Sequence, residues 1–559
     1  MRHFRATAAA LLLAMTPAAC ADLAVNNENE PDRGRALARG SDVESLIASA
    51  YQQWYVGEHH VGSTPIGGPA VWLSSASFQH SSSSANFGLL RYTTLPRQPL
   101  LNSITNVDYP TIEWGWSQNY RALAAVSEGL RALQGNPELA TQLGADRTLR
   151  ARMYGKFMQG LAHASIALLY DRAYIVDETV EVIDENDQVV VPGEPVAYGQ
   201  VMNAALGYFD QAIAIATSSA AAGITIPAQW MAATDDVDAQ TFARLAHSMK
   251  ARYRASVART PQERAAVNWA AVLSDLEQGV RENFLTDNSY MLNNWGGTAT
   301  PGYVFGWAST FQQLTLMVWG MADQSGSYQR WLARPVGERD AFWPDGSPVL
   351  IQTPDRRFPQ GATLTAQAAS PGVLVGIRRS GGAVANQVQF QQPGRGTWRW
   401  SQYYHRELDA TVGNQTGVWP ELDVDALRLL AAEALYRTGR LDDAADSVNV
   451  TRVGVGGLSP ADAQGTNTSC VPKLPDETCG GLLEMIKWEK RLHGWMRGPY
   501  ISWGYFDGRG WGDLYRGTPL QFPIPQQQAV VLGLGEVYTF GGVGGQSASP
   551  GSTYAWPGE

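Results

Sequence analysis

Along several stretches of the chain apolar residues recur at intervals of three and four, the spacing of one face of an α-helix. From residue 41, Val43, Leu46, Ile47, Ala50, Tyr51 and Trp54 share such a face. Ser41, with Glu44 three places on, has the form of a capping box at its start. The period returns near Tyr120. Met153, Phe157, Leu161, Ala164 and Leu168 keep one face, as do Met202, Leu206, Phe209, Ile213 and Ala216, and again Leu245, Met249, Tyr253 and Val257. The stretch GLAHASIALLYDRAY, residues 160–174, is so rich in Ala and Leu that it must lie tightly against a neighbouring helix. His163 interrupts it and Asp171 and Arg172 close it, so it is not a membrane span. Residues 423–449 predict two helices broken at Thr438 and Gly439, with Ala431, Ala432, Ala434, Ala444 and Ala445 letting them approach. Helix pairs crossing at small residues are the tetratricopeptide style of packing. The expected fold is mainly α, a tetratricopeptide-like superhelix.

The period fails in two places. Residues 57–110 mix Gly, Ser and Pro with scattered rings, which predicts a long functional loop. Between about 285 and 420, runs such as NNWGGTATPGYVFGW and RGTWRWSQYYH are punctuated by Gly and Pro and are aromatic. They predict a loop-rich insert over a helical scaffold spanning about 41–284 and 421–520. The C-terminal 520–559 is similarly rich in Gly and Pro.

Composition narrows the function. Lys and Arg number 42 against 52 Asp and Glu, and a net charge of −10 argues against phosphate-backbone binding, so no nucleic acid is expected as a partner. Nineteen Trp, 22 Tyr and 15 Phe are a heavy aromatic load; most of these rings are expected in the core, and with so many some are expected exposed, where rings make binding platforms. Arg2, His3 and Arg5 precede the apolar run ATAAALLLAM, then Ala18, Ala19 and Cys20. This order looks like a bacterial lipoprotein signal, with residues 1–19 removed, Cys20 lipidated and 20–40 a polar tether. Pro17 stands where Leu is usual, which leaves ordinary secretory cleavage near the same point open. Cys470 and Cys479, nine positions apart in a Pro-containing loop of an exported chain, suggest a local disulfide. A metal site there would need two further ligands, and only His493 is close.

The assembled features resemble the SusD/RagB family of outer-membrane nutrient-binding lipoproteins over nearly the whole chain. The resemblance rests on DVESLIASAYQQW, on ARMYGKFMQGLAHASIALLYDRAY and YGQVMNAALGYFDQAIAIA, and on RLLAAEALYRTGRLDDAADSVNVTRVGVGGL. In the last of these Glu433, Gly439, Ala444, Asn449 and Arg452 stand in register with the family pattern. LLEMIKWEKRLHGW with YFDGRGWGDLYRGTPLQFPIP resembles the closing segment, although His493 replaces a common Glu and ISWGYFDGRGWG is longer than usual. The resemblance implies a single domain over 41–559 on the outer face of the outer membrane. It further implies a lid on a SusC-type TonB-dependent transporter that catches glycans, less often peptides, and is not an enzyme.

The residues themselves carry no hydrolase, zinc-protease or nucleotide-binding motif. No cofactor or metal is expected. His59 and His60 form the one adjacent His pair, without an evident third ligand. Glu113 and Asp108 could be posed as a glycosidase couple, but nothing in the sequence sets them about one cleft. Glu433 and Arg437 read as an i,i+4 pair, and Glu489, Arg491, Asp507 and Arg509 as one partly buried ion network. A sugar site needs rings for pyranose C–H faces and planar polar groups for hydroxyls. The irregular segments offer Trp72, Phe78, Gln79 and Asn86, then Asn293, Asn294, Trp295, Tyr303 and Trp307, with Trp343, Trp398 and Trp400 in reserve. Trp72 and Trp295 are expected to share one platform. A peptide in place of a glycan, or a glycan hydrolase, are the alternative readings.

Overall fold

The structure is a computed structural model, and it describes residues 37–59, 68–81, 89–106, 109–181, 190, 192–295, 313–377, 401–406, 417–494, 503–535, 537–544 and 549–559. Cys20, the leader and most of the tether lie outside them.

The fold is mainly helical, as the periodicity predicts. Its principal helices are α1 (Gly40–Ala48), α2 (Ala50–His59), α3 (Pro69–Ala76), α4 (Pro110–Gly135), α5 (Ala145–Leu169), α6 (Tyr198–Ala216), α7 (Ala228–Met231) and α8 (Ala239–Ser256). After strand β1 (Phe284–Asp287) come α9 (Asn288–Asn294), strand β2 (Val418–Leu422), α10 (Val424–Arg437), α11 (Leu441–Arg452) and α12 (Leu482–His493), then α13 (Trp503–Trp511) and α14 (Gln526–Val531). Among the described residues the strands pair only as five separate two-stranded antiparallel ladders. One joins β1 to β2 and ties the two ends of the expected insert together. No described helix is long and apolar enough to cross a membrane.

The Ala-rich helix α5 packs on both α4 and α6, and everything on it from Phe157 to Leu169 is buried. Small residues make this possible: a Cβ at Gly160 would stand 3.0 Å from the Phe209 ring of α6. His163 is accommodated as a neutral core residue. Its Nδ1–H donates to the Gln159 carbonyl at 2.7 Å, and its Nε2 accepts the Val176 N–H at 3.0 Å. Burial lowers its pKa to about 4. Asp171 and Arg172 do not cap the helix: Asp171 accepts from the Tyr538 hydroxyl at 2.8 Å and Arg172 lies over the Tyr538 ring. The α10–α11 turn falls where expected, with Gly439 at φ +81°.

Three local expectations are corrected. Helix α1 starts at Gly40 without a side-chain cap; Ser41 Oγ reaches Asp42, and Glu44 binds Arg147 and Arg150 instead of closing a capping box. Long-range charge pairing takes the carboxylate that a local cap would use. Residues 69–76, expected within a loop, form α3, with Pro69 at the first turn where its missing N–H costs nothing. The four charged residues of the closing segment belong to separate clusters. Glu489 pairs with Arg357, Arg491 with Asp513, and Asp507 with Arg264 and Lys490, while Arg509 donates to the carbonyls of Leu168, Leu520 and Ser256. Glu433 does reach Arg437 at 3.7 Å, but its short contacts are to Arg264 at 2.6 Å and Lys490 at 2.7 Å. Cys470 and Cys479 are joined as a disulfide.

Candidate functional site

The end of α9 meets the start of the scaffold at a concave site. Asp287 caps α9 by accepting from the N–H groups of Ser289 and Tyr290, and the helix ends at Trp295. The Trp295 ring lies 6.2 Å from Tyr51 and 5.7 Å from Tyr55, both on α2, and edge-on to Tyr290 at 6.2 Å. Across the opening is Trp230 of α7, held edge-on by Tyr154 at 4.8 Å and covered on one side by the Arg150 guanidinium at 5.2 Å. Trp230, Tyr290, Trp295, Gln52, Gln229 and Glu44 line a cavity of about 290 Å³, with Ser45, Ala48 and Ser49 along its α1–α2 edge.

Its polar groups divide into two sets. Glu44 is committed to Arg147 and to Arg150 at 2.6 Å, which fixes the rim. The amides of Gln52 and Gln229, the Tyr290 hydroxyl and the indole nitrogens of Trp230 and Trp295 have no hydrogen-bond partner among the described residues. A site with three rings and free planar amides can stack an apolar face and bond hydroxyls or peptide groups around its edge.

Beneath this floor lies the buried Glu421 of β2, beside the hydroxyls of Tyr51 and Tyr55. Burial pushes its pKa up to about 8, against the opposing charge of Arg252. It is therefore largely protonated at neutral pH and adds little negative charge under the rings. Among the described residues no group of three His, Cys, Asp or Glu could hold a metal ion.

Neither protein-family models nor curated proteins give a match to this chain. Solved structures do. A SusD-like carbohydrate-binding protein from Bacteroides fragilis is 15% identical, with 93% of this chain and 97% of that one covered at a TM-score of 0.50. The fold is SusD-like. A SusD superfamily protein from Parabacteroides distasonis is 14% identical over 88% of this chain and 97% of its own, at a TM-score of 0.49.

The SusD-like scaffold separates the residues expected to act together. Trp72 is fully buried in α3, with Tyr92 stacked on it at 4.8 Å and Phe522 at 4.4 Å, so it is core and no platform. Phe78 is buried too, under the Arg97 guanidinium and edge-on to Tyr515. Gln79 is buried, and its carbonyl accepts from the Trp319 indole at 2.8 Å. Trp72 and Trp295 share no ring contact. Trp295 lines the cavity with one face and packs into the core with the other, at 9% exposure. Asn293 and Asn294 are exposed beside it. Trp343 is half-buried under Arg330 and lies in a different core cluster. Asn86, Tyr303, Trp307, Trp398 and Trp400, and with them His60 and Asp108, fall outside the described residues.

Sequence reasoning missed Trp230, Gln229, Tyr290 and Gln52. PAQW, residues 227–230, carried a usable signal: a Trp beside a Gln one turn after a Pro, in a four-residue helix too short to bury both faces. Gln52 sits on the polar side of a helix that the periodicity had already placed.

Proposed function

We propose that this protein is a surface nutrient-binding lipoprotein that captures a glycan at the Trp230–Trp295 cavity and hands it to a SusC-type TonB-dependent transporter of the outer membrane. The observation that carries the glycan reading is the pairing of three pocket-lining rings with the unbonded amides of Gln52 and Gln229. A pyranose offers C–H faces to the first and adjacent hydroxyls to the second. The SusD-like scaffold supports a binding role rather than catalysis, and so does the tying up of Glu44 by two arginines, which removes one carboxylate from acid–base work. The leader ending in Cys20 supports lipid attachment and export.

A glycan and peptide array probed with mature protein tests the ligand class, and calorimetry with a positive glycan tests the site. Gln229→Ala, at an exposed position, is expected to weaken binding about fivefold for one lost hydrogen bond while leaving the melting temperature unchanged. Trp295→Ala is expected to abolish binding but also to cost stability, since its ring packs against Tyr51 and Tyr55. Exclusive binding to peptides would replace the glycan reading; glycan binding indifferent to both substitutions would remove this cavity from it.

A further inference from the structure

A larger cavity, about 510 Å³, lies along α4 and within the size range of small-molecule sites, roughly 300–1,000 Å³. Glu113, Trp116, Ser117, Tyr120, Arg121 and Ala124 recur at helical spacing and present one stripe of α4 to it. This stripe alternates rings with charged and hydroxyl groups. Tyr174 and Val176, just past the end of α5, form a second wall, and Gln527, Gln528 and Leu532 of the C-terminal segment a third.

Three of its walls are held by contacts within the protein, and Val190 and Pro192 complete the described lining. Trp116 stands 4.8 Å from the Tyr120 ring and edge-on to Tyr170 at 5.0 Å. The Tyr120 hydroxyl donates to the Tyr174 carbonyl at 2.9 Å and accepts the Tyr174 N–H at 2.8 Å. The third wall is tied to the opposite loop: the Gln527 N–H donates to the Tyr109 hydroxyl at 2.9 Å and the Gln526 N–H to Asn102 Oδ1 at 2.9 Å.

Several polar groups in this frame have no hydrogen-bond partner among the described residues. The Gln527 and Gln528 amides, the Arg121 guanidinium and the Trp116 indole N–H make no hydrogen bond to a described residue. Among the described residues Glu113 accepts only from Ser117, and Arg121 acts on it as a nearby charge without closing an ion pair. Burial raises the Glu113 pKa, so hydroxyl groups that bond its carboxylate would relieve a real cost. A lipid tail would leave these groups unbonded, and the rings make a poor fit to a bare anion.

We propose that the α4 cavity is a second carbohydrate subsite, in which one pyranose packs on the half-buried Tyr120 ring, backed by the buried Trp116, while Glu113, Arg121 and Gln528 bond its hydroxyls. This rests on the glycan reading of the protein given above. No residue lining the cavity at Trp295 also lines this one, so the chain would hold two sugar contacts on separate faces. Two weak contacts on one chain raise the avidity for a long glycan over a short one when its length spans both.

The test is calorimetry of mature protein with soluble α- and β-glucans, xylans, mannans and galactans, each as a short oligosaccharide and as the polymer. The expected result is two sites per chain for the short form of the bound sugar. Arg121→Ala and Gln528→Ala, both at positions open to solvent or half-buried, should each weaken one site about five- to tenfold with melting temperature unchanged. Combined with Gln229→Ala they should weaken both sites independently. One site per chain that ignores Arg121→Ala and Gln528→Ala overturns the second subsite and leaves the glycan reading intact. No binding to any of these glycans, with peptides bound instead, overturns the glycan reading and this proposal with it.

Discussion

Glu421→Gln should make the protein more stable at alkaline pH, although it removes a charge that lies near Arg252. Glu421 is fully buried, and the charge of Arg252 and the neighbouring Tyr51 hydroxyl only partly offset the cost of a buried carboxylate. Its pKa in the folded protein is about 8, against an ordinary value of 4.5. The folded state thus holds a proton that the unfolded chain releases between those values, and stability falls as pH rises through that window. Each pH unit inside it costs about 1.4 kcal/mol, so the full loss by pH 9 is about 4–5 kcal/mol. Gln keeps the shape of the protonated acid and cannot ionise. The variant should match the parent near pH 4.5, pull ahead across the window and level off above pH 8. For a chain of this length 4–5 kcal/mol moves the melting temperature only by roughly 4 °C, so urea unfolding at a series of pH values is the better assay. The buried His163 and His80, lowered to about 4 and about 3, cost stability as pH falls below 6.5, but they act equally on both proteins. Parallel pH profiles for parent and variant would refute the reasoning and place Glu421 in contact with water.

Three further outcomes follow from the same geometry. Glu433→Gln leaves the buried cations of Arg264 and Lys490 short of their shared counter-charge, and about 3–5 kcal/mol of stability should be lost in denaturant unfolding; a loss below 1 kcal/mol would mean that Asp507 compensates alone. Replacing Cys470 and Cys479 together by Ser opens a ten-residue loop and should cost roughly 2–3 kcal/mol, whereas an unchanged unfolding midpoint would show that the surrounding hydrogen bonds hold the loop. Cys20→Ser should release the protein from the outer membrane in cell fractionation, and a variant that stays with the membrane would rule out the lipid anchor.

Sequence periodicity was enough to place the scaffold. Helices α5, α6, α8, α10 and α11 lie where the apolar spacing puts them, because a helix reports its buried face at fixed intervals and Gly439 marks its own turn by a left-handed backbone. The disulfide was also legible, since its two cysteines stand only nine positions apart in one loop. Tertiary structure alone decided which rings are exposed. Trp72 and Trp295 sit in similar Gly-rich surroundings, yet one is sealed beneath Phe522, contributed from 450 residues away, and the other edges a cavity. Charge pairing was equally hidden: Glu433 has Arg437 one turn away, but its short contacts come from Arg264 and Lys490, both distant in sequence. Local spacing fixes what an element is because its hydrogen bonds close within the element. A binding surface depends on what covers each side chain, and the covering residues lie anywhere in the chain.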